Sequence, residues 1–557
     1  MDYLLPLAQF SRNVASHPDK IWLQQPIDRH WHSTTWAEAD QQARTIAAGL
    51  LAKGFVAGDR IAILAKNSAE WFITDMAIMM AGMISVPIYS TANVDTIRHV
   101  MSHSEAKAVF IGKLDSTQAA EQAFEADILK VTFPYLTMAG AEHYQDWLTQ
   151  YSPVETVHTP EPEDMMTLVY TSGSTGLPKG VVISYDNMAS SSSNCASRLD
   201  ASSGSRCMSY LPLAHITERS VVEMVSIYEP QEVFFVESLN TFIDDVRHAQ
   251  PTFFLSVPRL WVKFQSQILA KMPDEKLQRL LKVPFLGKFI AAKIRKQLGL
   301  DKAKLFASGS APISPGVLLW FQRLGIPISE GWGMSETCGL SCGNLPFISD
   351  QIGTIGRAQN ECVEMKLSDE GEILIRGKAV FKAYYKKPEA TDDAFTDGWF
   401  HTGDSGHYDG ETGAWKIIGR VKEQFKTAKG KYVAPVPIES LLSRNADIEQ
   451  VCVMGIGRKQ PLAVVVMNEQ VRGQSEAMRH KLEQTLAEVN SELEGHQRLD
   501  HIIVSEEVWG IDNDMLTPTL KIKRNKLEER YGGFLQRSFK QPVVWENEVE
   551  SDVAVAV

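Results

Sequence analysis

Residues 60–89 read RIAILAKNSAEWFITDMAIMMAGMISVPIY, and their periodicity decides the fold class. The runs 60–65 and 84–89 are short, apolar and rich in β-branched side chains, whereas 69–81 has the length and composition of a helix. Strand, helix, strand follows. The apolar run 76–89 is shorter than the ~20 residues needed to span a bilayer, and it contains Gly82 and Pro87. A buried helix running into a buried strand is therefore expected.

Outward from this unit the alternation continues, with an amphipathic helix over 36–53, a helix over 94–103 and a strand over 108–111. Helices between short β-rich runs imply parallel strands joined by crossovers, hence a layered α/β domain. His99 and His103 stand four apart, a metal-ligand spacing, but no third ligand lies near them and a solvated helix face is the expectation. The stretch 151–164, YSPVETVHTPEPED, holds three prolines and reads as a connector into a strand at 165–170. Past residue 420 the texture changes. A helix over 437–443, strands over 450–456 and 463–467, and a long helix with apolar Met478, Leu482, Leu486, Val489 and Leu493 predict a small α+β domain. The expected organisation is a large layered α/β N-terminal domain over 1–420, a smaller α+β domain over 421–545 and an acidic, frayed tail over 546–557.

The 557 residues are 44% hydrophobic and 22% charged, so the chain can bury several cores. Its formal charge of −12 excludes whole-surface attraction to nucleic acid and leaves only local patches for anionic surfaces. The six cysteines contain no CxxC, and Cys338 and Cys342 have no histidine beside them. A reduced, cytoplasmic protein is expected, and no secretory signal is evident at the N-terminus.

The sharpest chemical segment is 171–180, TSGSTGLPKG, between the strand MMTLVY and a second β-like run, VVIS. Gly173, Gly176 and Gly180 let backbone N–H groups turn inward, Thr171, Ser172, Ser174 and Thr175 add hydroxyls, and Lys179 adds a charge. That inventory suits a polyphosphate. It is not a Walker A loop, because Lys179 follows a proline and precedes a glycine. A polar hairpin would account for the glycines but not for so many donors.

Further stretches stand in order downstream: EGWGMSET at 330–337, WFHTGD at 399–404, GRVK at 419–422, and Lys429-Gly430 followed by Pro437-Ile-Glu439. Together with TSGSTGLPKG they resemble the motif set of the adenylate-forming (AMP-binding) superfamily, over roughly residues 8–530. YLPLAHITER at 210–219, SVPR at 256–259 and ASGSAP at 307–312 resemble the long-chain fatty acyl-CoA synthetases within it.

The resemblance implies ATP, Mg²⁺ and coenzyme A as reactants or cofactors and a mobile C-terminal domain. It assigns the β- and γ-phosphates to Thr171, Ser172, Gly173, Ser174, Thr175, Gly176 and Lys179, the α-phosphate to Ser335, and Mg²⁺ to Glu336. Trp332, flanked by Gly331, Gly333 and Met334, would stack on adenine, with Gly309, Ser310, Ala311 and Pro312 as the opposite wall. Asp404 would accept both ribose hydroxyls beside Arg420. His215 would orient the reacting carboxylate, although a lone histidine after YLPLA is usually a satisfied core residue. Relatives carry Gly-Lys near the C-terminus; this chain has LTPTLKIKR at 516–524, which aligns Lys521 with the adenylation lysine and leaves Lys523 as the alternative. Lys422 falls at the hinge, and Lys429 and Gly430 on the coenzyme A side. Outside these motifs, Glu336 would read as a helix cap, Asp404 and Arg420 as surface ion-pair residues, and the lysines as a basic helix end; in register, the motif roles are the stronger reading for Glu336, Asp404 and Arg420.

The activity implied is conversion of a fatty acid to acyl-AMP and then to a coenzyme A thioester. An aryl or short-chain acid ligase, a ligase that loads carrier protein, and a silent nucleotide- or acyl-binding member are the alternatives. Between 259 and 300 there are ten basic residues (259, 263, 271, 276, 279, 282, 288, 293, 295, 296) and two acids (274, 275). Trp261, Phe264, Ile268 and Met272 recur there at helical spacing, and VPFLGKFIAAKIRK interleaves apolar and basic residues as interfacial helices do. Peripheral contact with an anionic membrane is one expectation, and an apolar stripe packed on the domain beneath solvated lysines is the other. The oligomeric state is not legible.

Overall fold

The computed structural model describes residues 3–125, 127–171, 177–199, 204–473, 475–517, 521–537 and 539–551. Helix Ala69–Met80 begins where Ser68 Oγ accepts the N–H of Trp71. Its residues are buried on every side, Trp71, Phe72, Met76 and Met79 among them, as for a helix enclosed between layers. Strands Arg60–Ala65 and Ile84–Ile88 flank it and pair in parallel. They are the middle of a seven-stranded sheet in the order Glu142–His143, Leu129–Thr132, Ala106–Gly112, Arg60–Ala65, Ile84–Ile88, Met165–Thr171, Lys179–Ser184, parallel except for its last pair. The connector at 151–164 is pinned: Arg44 Nη1 donates to the carbonyls of Val154 and Glu155, and His158 N–H to that of Met80.

A second sheet of five strands runs Phe253–Ser256, Leu305–Ser308, Ile328–Met334, Gly339–Gly343, Arg357–Ala358. A third, antiparallel, is built on Trp399–Asp409 and Ala414–Arg420. Residues from Phe425 to Trp545 bury a core of their own around Val453, Val465, Leu482 and Ile502, on the four-stranded sheet Ile448–Met454, Leu462–Met467, Ile502–Val504, Val543–Trp545. The mixed α/β fold with a large N-terminal and a smaller C-terminal body is thus observed.

Packing corrects one local reading and selects between the two given for 259–300. The run from Glu546 does not begin frayed: Glu546 is buried, accepting from Arg530 Nη2 (2.5 Å), Ser505 Oγ and the N–H of Glu506, at the head of helix Glu546–Ser551. The segment 259–300 folds as three helices, Pro258–Lys271, Asp274–Leu281 and Leu286–Leu298. Trp261 and Phe264 point into a core with Phe254, Phe306 and Phe321, and Ile268 and Met272 pack against it, so that stripe faces inward. Among the described residues no helix is long and apolar enough to cross a membrane.

The layers meet at a buried charge cluster. Arg219, in an irregular helical turn after His215, donates to Asp75 Oδ2 (2.5 Å) and Thr167 Oγ1 (2.5 Å), and its Nε lies 3.4 Å from Glu223. All three charged side chains are fully buried. Burial, reinforced by Asp75, pushes the Glu223 carboxyl far above the usual carboxylate range, and the Arg219 guanidinium opposes it. Arg219→Leu strands these acids without a counter-charge and should lower stability by about 3–5 kcal/mol. The urea midpoint of the N-terminal body should fall clearly further in it than in Glu223→Gln.

Candidate active site

Strand Ile328–Met334 turns back into Gly339–Gly343 with Gly333 opposite Leu340. A Cβ on Gly333 would lie 1.6 Å from the Gly339 carbonyl oxygen, so only glycine permits this approach. The tight turn holds Trp332 half-exposed with its indole N–H donating to Asp404 Oδ2 at 2.9 Å. The other oxygen of Asp404 lies 2.8 Å from Arg420 Nε, and Arg420 Nη1 donates to the Thr402 carbonyl. Burial raises the Asp404 pKa, and the Arg420 charge and the indole N–H oppose it.

Glu336, buried two turns of chain further on, accepts from the Tyr384 hydroxyl at 2.9 Å. Lys179 Nζ sits 3.9 Å from the centre of the Tyr384 ring, a cation–π contact. Burial lowers the Lys179 pKa, Glu336 raises it, and Lys422 and Lys387 lower it again. Tyr384 escaped the sequence reading; the aromatic and lysine run YYKKP at 384–388 was the available signal.

Residues 172–176, holding Ser172, Gly173, Ser174, Thr175 and Gly176, lie outside the described residues. Their flanks are fixed: Thr171 and Lys179 are cross-strand partners. His99 Nε2 lies 2.9 Å from the Pro178 carbonyl oxygen and His103 Nδ1 2.8 Å from the Tyr170 hydroxyl. The two histidines therefore brace both feet of the loop, which corrects their reading as a solvated face.

From the C-terminal body, Lys521 enters the same region while keeping solvent access at the cleft mouth. Burial and then the Arg420 charge lower its pKa, and Asp404 and Glu336 draw it back up. Lys523 instead pairs with Asp514. His215 accepts the Thr217 N–H on Nδ1 (3.2 Å), which leaves Nε2 to carry the proton. Burial first, and the Lys521 ammonium second, push its pKa down to about 3, so the ring is neutral at neutral pH.

A narrow pocket with a cavity volume of about 40 Å³ lies beside Trp332. Gly309, Ser310, Gly331, Trp332 and Gly333 line it on one side, and Leu199, Val221, Phe253, Leu255, Leu340 and Leu345 make the rest predominantly apolar. Ser310 adopts a positive φ and its hydroxyl lies 3.5 Å from that of Thr217; Ala311 and Pro312 follow, exposed. Met334 and buried Ser335 complete the strand end. Lys422 is exposed in a short turn between the two bodies, and its charge reaches Lys179. Lys429 and Gly430 are not brought to the cluster: they occupy an exposed hairpin tip, where Lys429 donates to Gln460. The two bodies are bridged by Arg259 and Glu449 (2.8 Å), both outside the pocket.

The geometry makes the His215 titration a reporter of Lys521. The imidazole NMR signal should stay in its neutral position down to about pH 5, and its midpoint should rise in Lys521→Met, which removes one of the two causes. Because the folded pKa lies below the unfolded value near 6.5, the unfolded chain binds the extra proton. This histidine therefore lowers stability as pH falls through that value, and His215→Asn should lose less stability than wild type between pH 7 and about pH 5.

A profile for AMP-binding enzymes matches residues 10–385, and one for the C-terminal domain of AMP-binding enzymes matches 422–541. The chain is 30% identical to fatty acyl-CoA synthetase A of Dictyostelium discoideum, over 90% of this chain and 85% of that one. It is 28% identical to the long-chain-fatty-acid–CoA ligase FadD15 of Mycobacterium bovis, over 94% and 95%. Among solved structures, the adenylation domain of a carboxylate reductase from Mycobacterium chelonae superposes with a TM-score of 0.81 at 24% identity, covering 96% of this chain and 91% of that one. The anthranilate CoA ligase AuaEII superposes with a TM-score of 0.80 at 20% identity, over 96% and 98%. With two profiles spanning most of its length and a relative at 30% identity across nine-tenths of it, the chain belongs to the AMP-binding enzyme family.

Proposed function

We propose that the protein is an ATP-dependent acid–coenzyme A ligase acting on medium- to long-chain fatty acids. The observation that carries this reading is the convergence of Lys521, Asp404 and Glu336 beside Trp332, which itself lines a predominantly apolar pocket. The names of the relatives support the fatty acid; the similarity to aryl-acid and carboxylate-reductase structures is one of fold.

In the proposed first step an oxygen of the fatty carboxylate attacks the α-phosphorus of ATP, the bond to pyrophosphate breaks, and acyl-AMP remains. Trp332 stacks on adenine against Gly309, Ser310, Ala311 and Pro312, while Asp404 exchanges its indole N–H for ribose hydroxyls beside Arg420. Loop 171–176 with Lys179 takes the β- and γ-phosphates, and Ser335 the α-phosphate. Lys521 brings positive charge to the pentavalent phosphorus as charge accumulates there. Neutral His215 donates from Nε2 and orients the carboxylate. In the second step the coenzyme A thiolate attacks the acyl carbon, the C–O bond to AMP breaks, and the thioester leaves.

The residues present suit Mg²⁺ arriving with the nucleotide. Glu336 has one oxygen held by Tyr384, and its other oxygen has no hydrogen-bond partner among the described residues. No cluster of three ligating side chains exists among the described residues, so a metal here would be held by one carboxylate and phosphate oxygens, as Mg²⁺ commonly is. When bound, it would neutralise phosphate charge.

Lys521 and the coenzyme A side at Lys429 and Gly430 lie apart, which supports a rotation of the 421–545 unit about Lys422 between the two steps. Six free, buried cysteines support a reducing, cytoplasmic setting.

Lys521→Ala should lower acyl-AMP formation by about 10²–10³ while sparing thiolysis of supplied acyl-AMP; pyrophosphate exchange and thioester assays separate the two. Lys422→Pro, which fixes φ at the hinge, should do the reverse. A panel of acids with coenzyme A and with carrier protein tests the substrate. kcat/KM should climb from C6 to C12 by up to about fourfold per methylene, and a preference for benzoate-type or C2–C4 acids would overturn the fatty-acid reading.

A further inference from the structure

The basic segment keeps one face outward after its aromatic stripe has turned into the core. Between helices Asp274–Leu281 and Leu286–Leu298 the chain makes a hydrogen-bonded turn, with Gly287 N–H donating to the Val283 carbonyl and Leu286 N–H to that of Pro284. A Cβ on Gly287 would lie 2.3 Å from the Leu281 carbonyl oxygen, so glycine is what lets the second helix close on the first. The turn projects Val283 (44% exposed), Phe285 (86%), Leu286 (42%) and Phe289 (67%) into solvent. Phe285 does so from φ +62°, a region that aromatic residues seldom occupy and for which its own side chain receives no packing in return.

Lys282 and Lys288 flank this tip and Lys293 and Lys296 follow along the second helix, all exposed and none ion-paired with a carboxylate among the described residues. Phe289, Ala292, Lys293 and Lys296 share one exposed helical face. Of the other basic residues, Arg295 donates to the Leu324 carbonyl, Arg279 pairs with Glu275 and Arg259 with Glu449, while Lys263, Lys271 and Lys276 are exposed on the two preceding helices. Bare lysines beside exposed aromatics, in a chain of net charge −12, are complementary to an apolar layer beneath a negative surface.

We infer that the 282–296 tip docks the protein on anionic phospholipid bilayers, Phe285 and Phe289 entering the interface and the four lysines lying over lipid phosphates. The contact is peripheral, reversible and screened by salt. It is independent of which acid the enzyme activates, because it uses none of the residues lining the pocket.

The test is cosedimentation of the full chain with vesicles of phosphatidylcholine, alone or with phosphatidylglycerol at about one part in three, in about 50 mM and about 500 mM NaCl. Wild type is compared with Phe285→Ser/Phe289→Ser and with Lys282→Gln/Lys288→Gln/Lys293→Gln/Lys296→Gln. These side chains are exposed, so thermal unfolding should match wild type and report intact folding. Binding should require the anionic lipid and fall about tenfold or more in either variant and in high salt. An environment-sensitive fluorophore on Phe285→Cys should shift to the blue and be quenched by brominated lipid, whereas one on Val56→Cys should not. Acyl-AMP formation from a water-soluble acid without vesicles should be unchanged in both variants, which separates failure of docking from failure of the proposed activity. Absent binding, binding indifferent to lipid charge and salt, or binding retained in both variants would overturn the inference. So would a concentration-dependent dimer lost in the Phe285→Ser/Phe289→Ser variant, which would make the tip a contact between copies.

Discussion

The structure depends on how one buried carboxylate is held. Asp404 takes the indole N–H of Trp332 on one oxygen and the guanidinium of Arg420 on the other. Those partners come from the second sheet and from the last strand before the C-terminal body, so the carboxylate fixes three pieces of chain relative to one another. Its desolvation is offset by two directed donors rather than by a general positive field, which is how a buried charge is kept in one orientation. The Gly333 turn matters for the same reason: without its close strand approach, the indole would not reach.

Around that carboxylate the cleft alternates sign. Lys179, Arg420 and Lys521 approach Glu336 and Asp404 from three elements distant in sequence, and each lysine is loosened by burial while being drawn up by the acids. Among the described residues neither lysine is within ion-pair distance of a carboxylate, whereas Arg420 is paired with Asp404. Tyr384 tempers one corner, giving its hydroxyl to Glu336 and its ring face to Lys179.

The layered core was legible because local pattern and burial coincide there: 60–89 is strand, helix and strand with bounds within about a residue of the expected ones. The motif residues Trp332, Glu336, Asp404, Arg420 and Lys521 were legible from their resemblance, and the fold gathers them. What was not legible depends on partners far along the chain. Nothing local in Tyr384 announces Glu336 forty-eight positions away, and nothing in His99 or His103 announces Pro178 or Tyr170. Of the two readings of 259–300, the stripe packed on the domain is the one observed, with Trp261 and Phe264 in the core, and the exposed aromatics belong to a later turn. Glu546 looked like the start of a solvated tail because Ser505 and Arg530, which bury it, are sequence-remote.

The bridge between Arg259 and Glu449 is a half-exposed ion pair, a class of contact that contributes about 0–1 kcal/mol and weakens with salt. In the rotation proposed above, this pair by itself would bias one orientation of the C-terminal body over the other by no more than about fivefold, and its share of that bias would shrink as ionic strength rises.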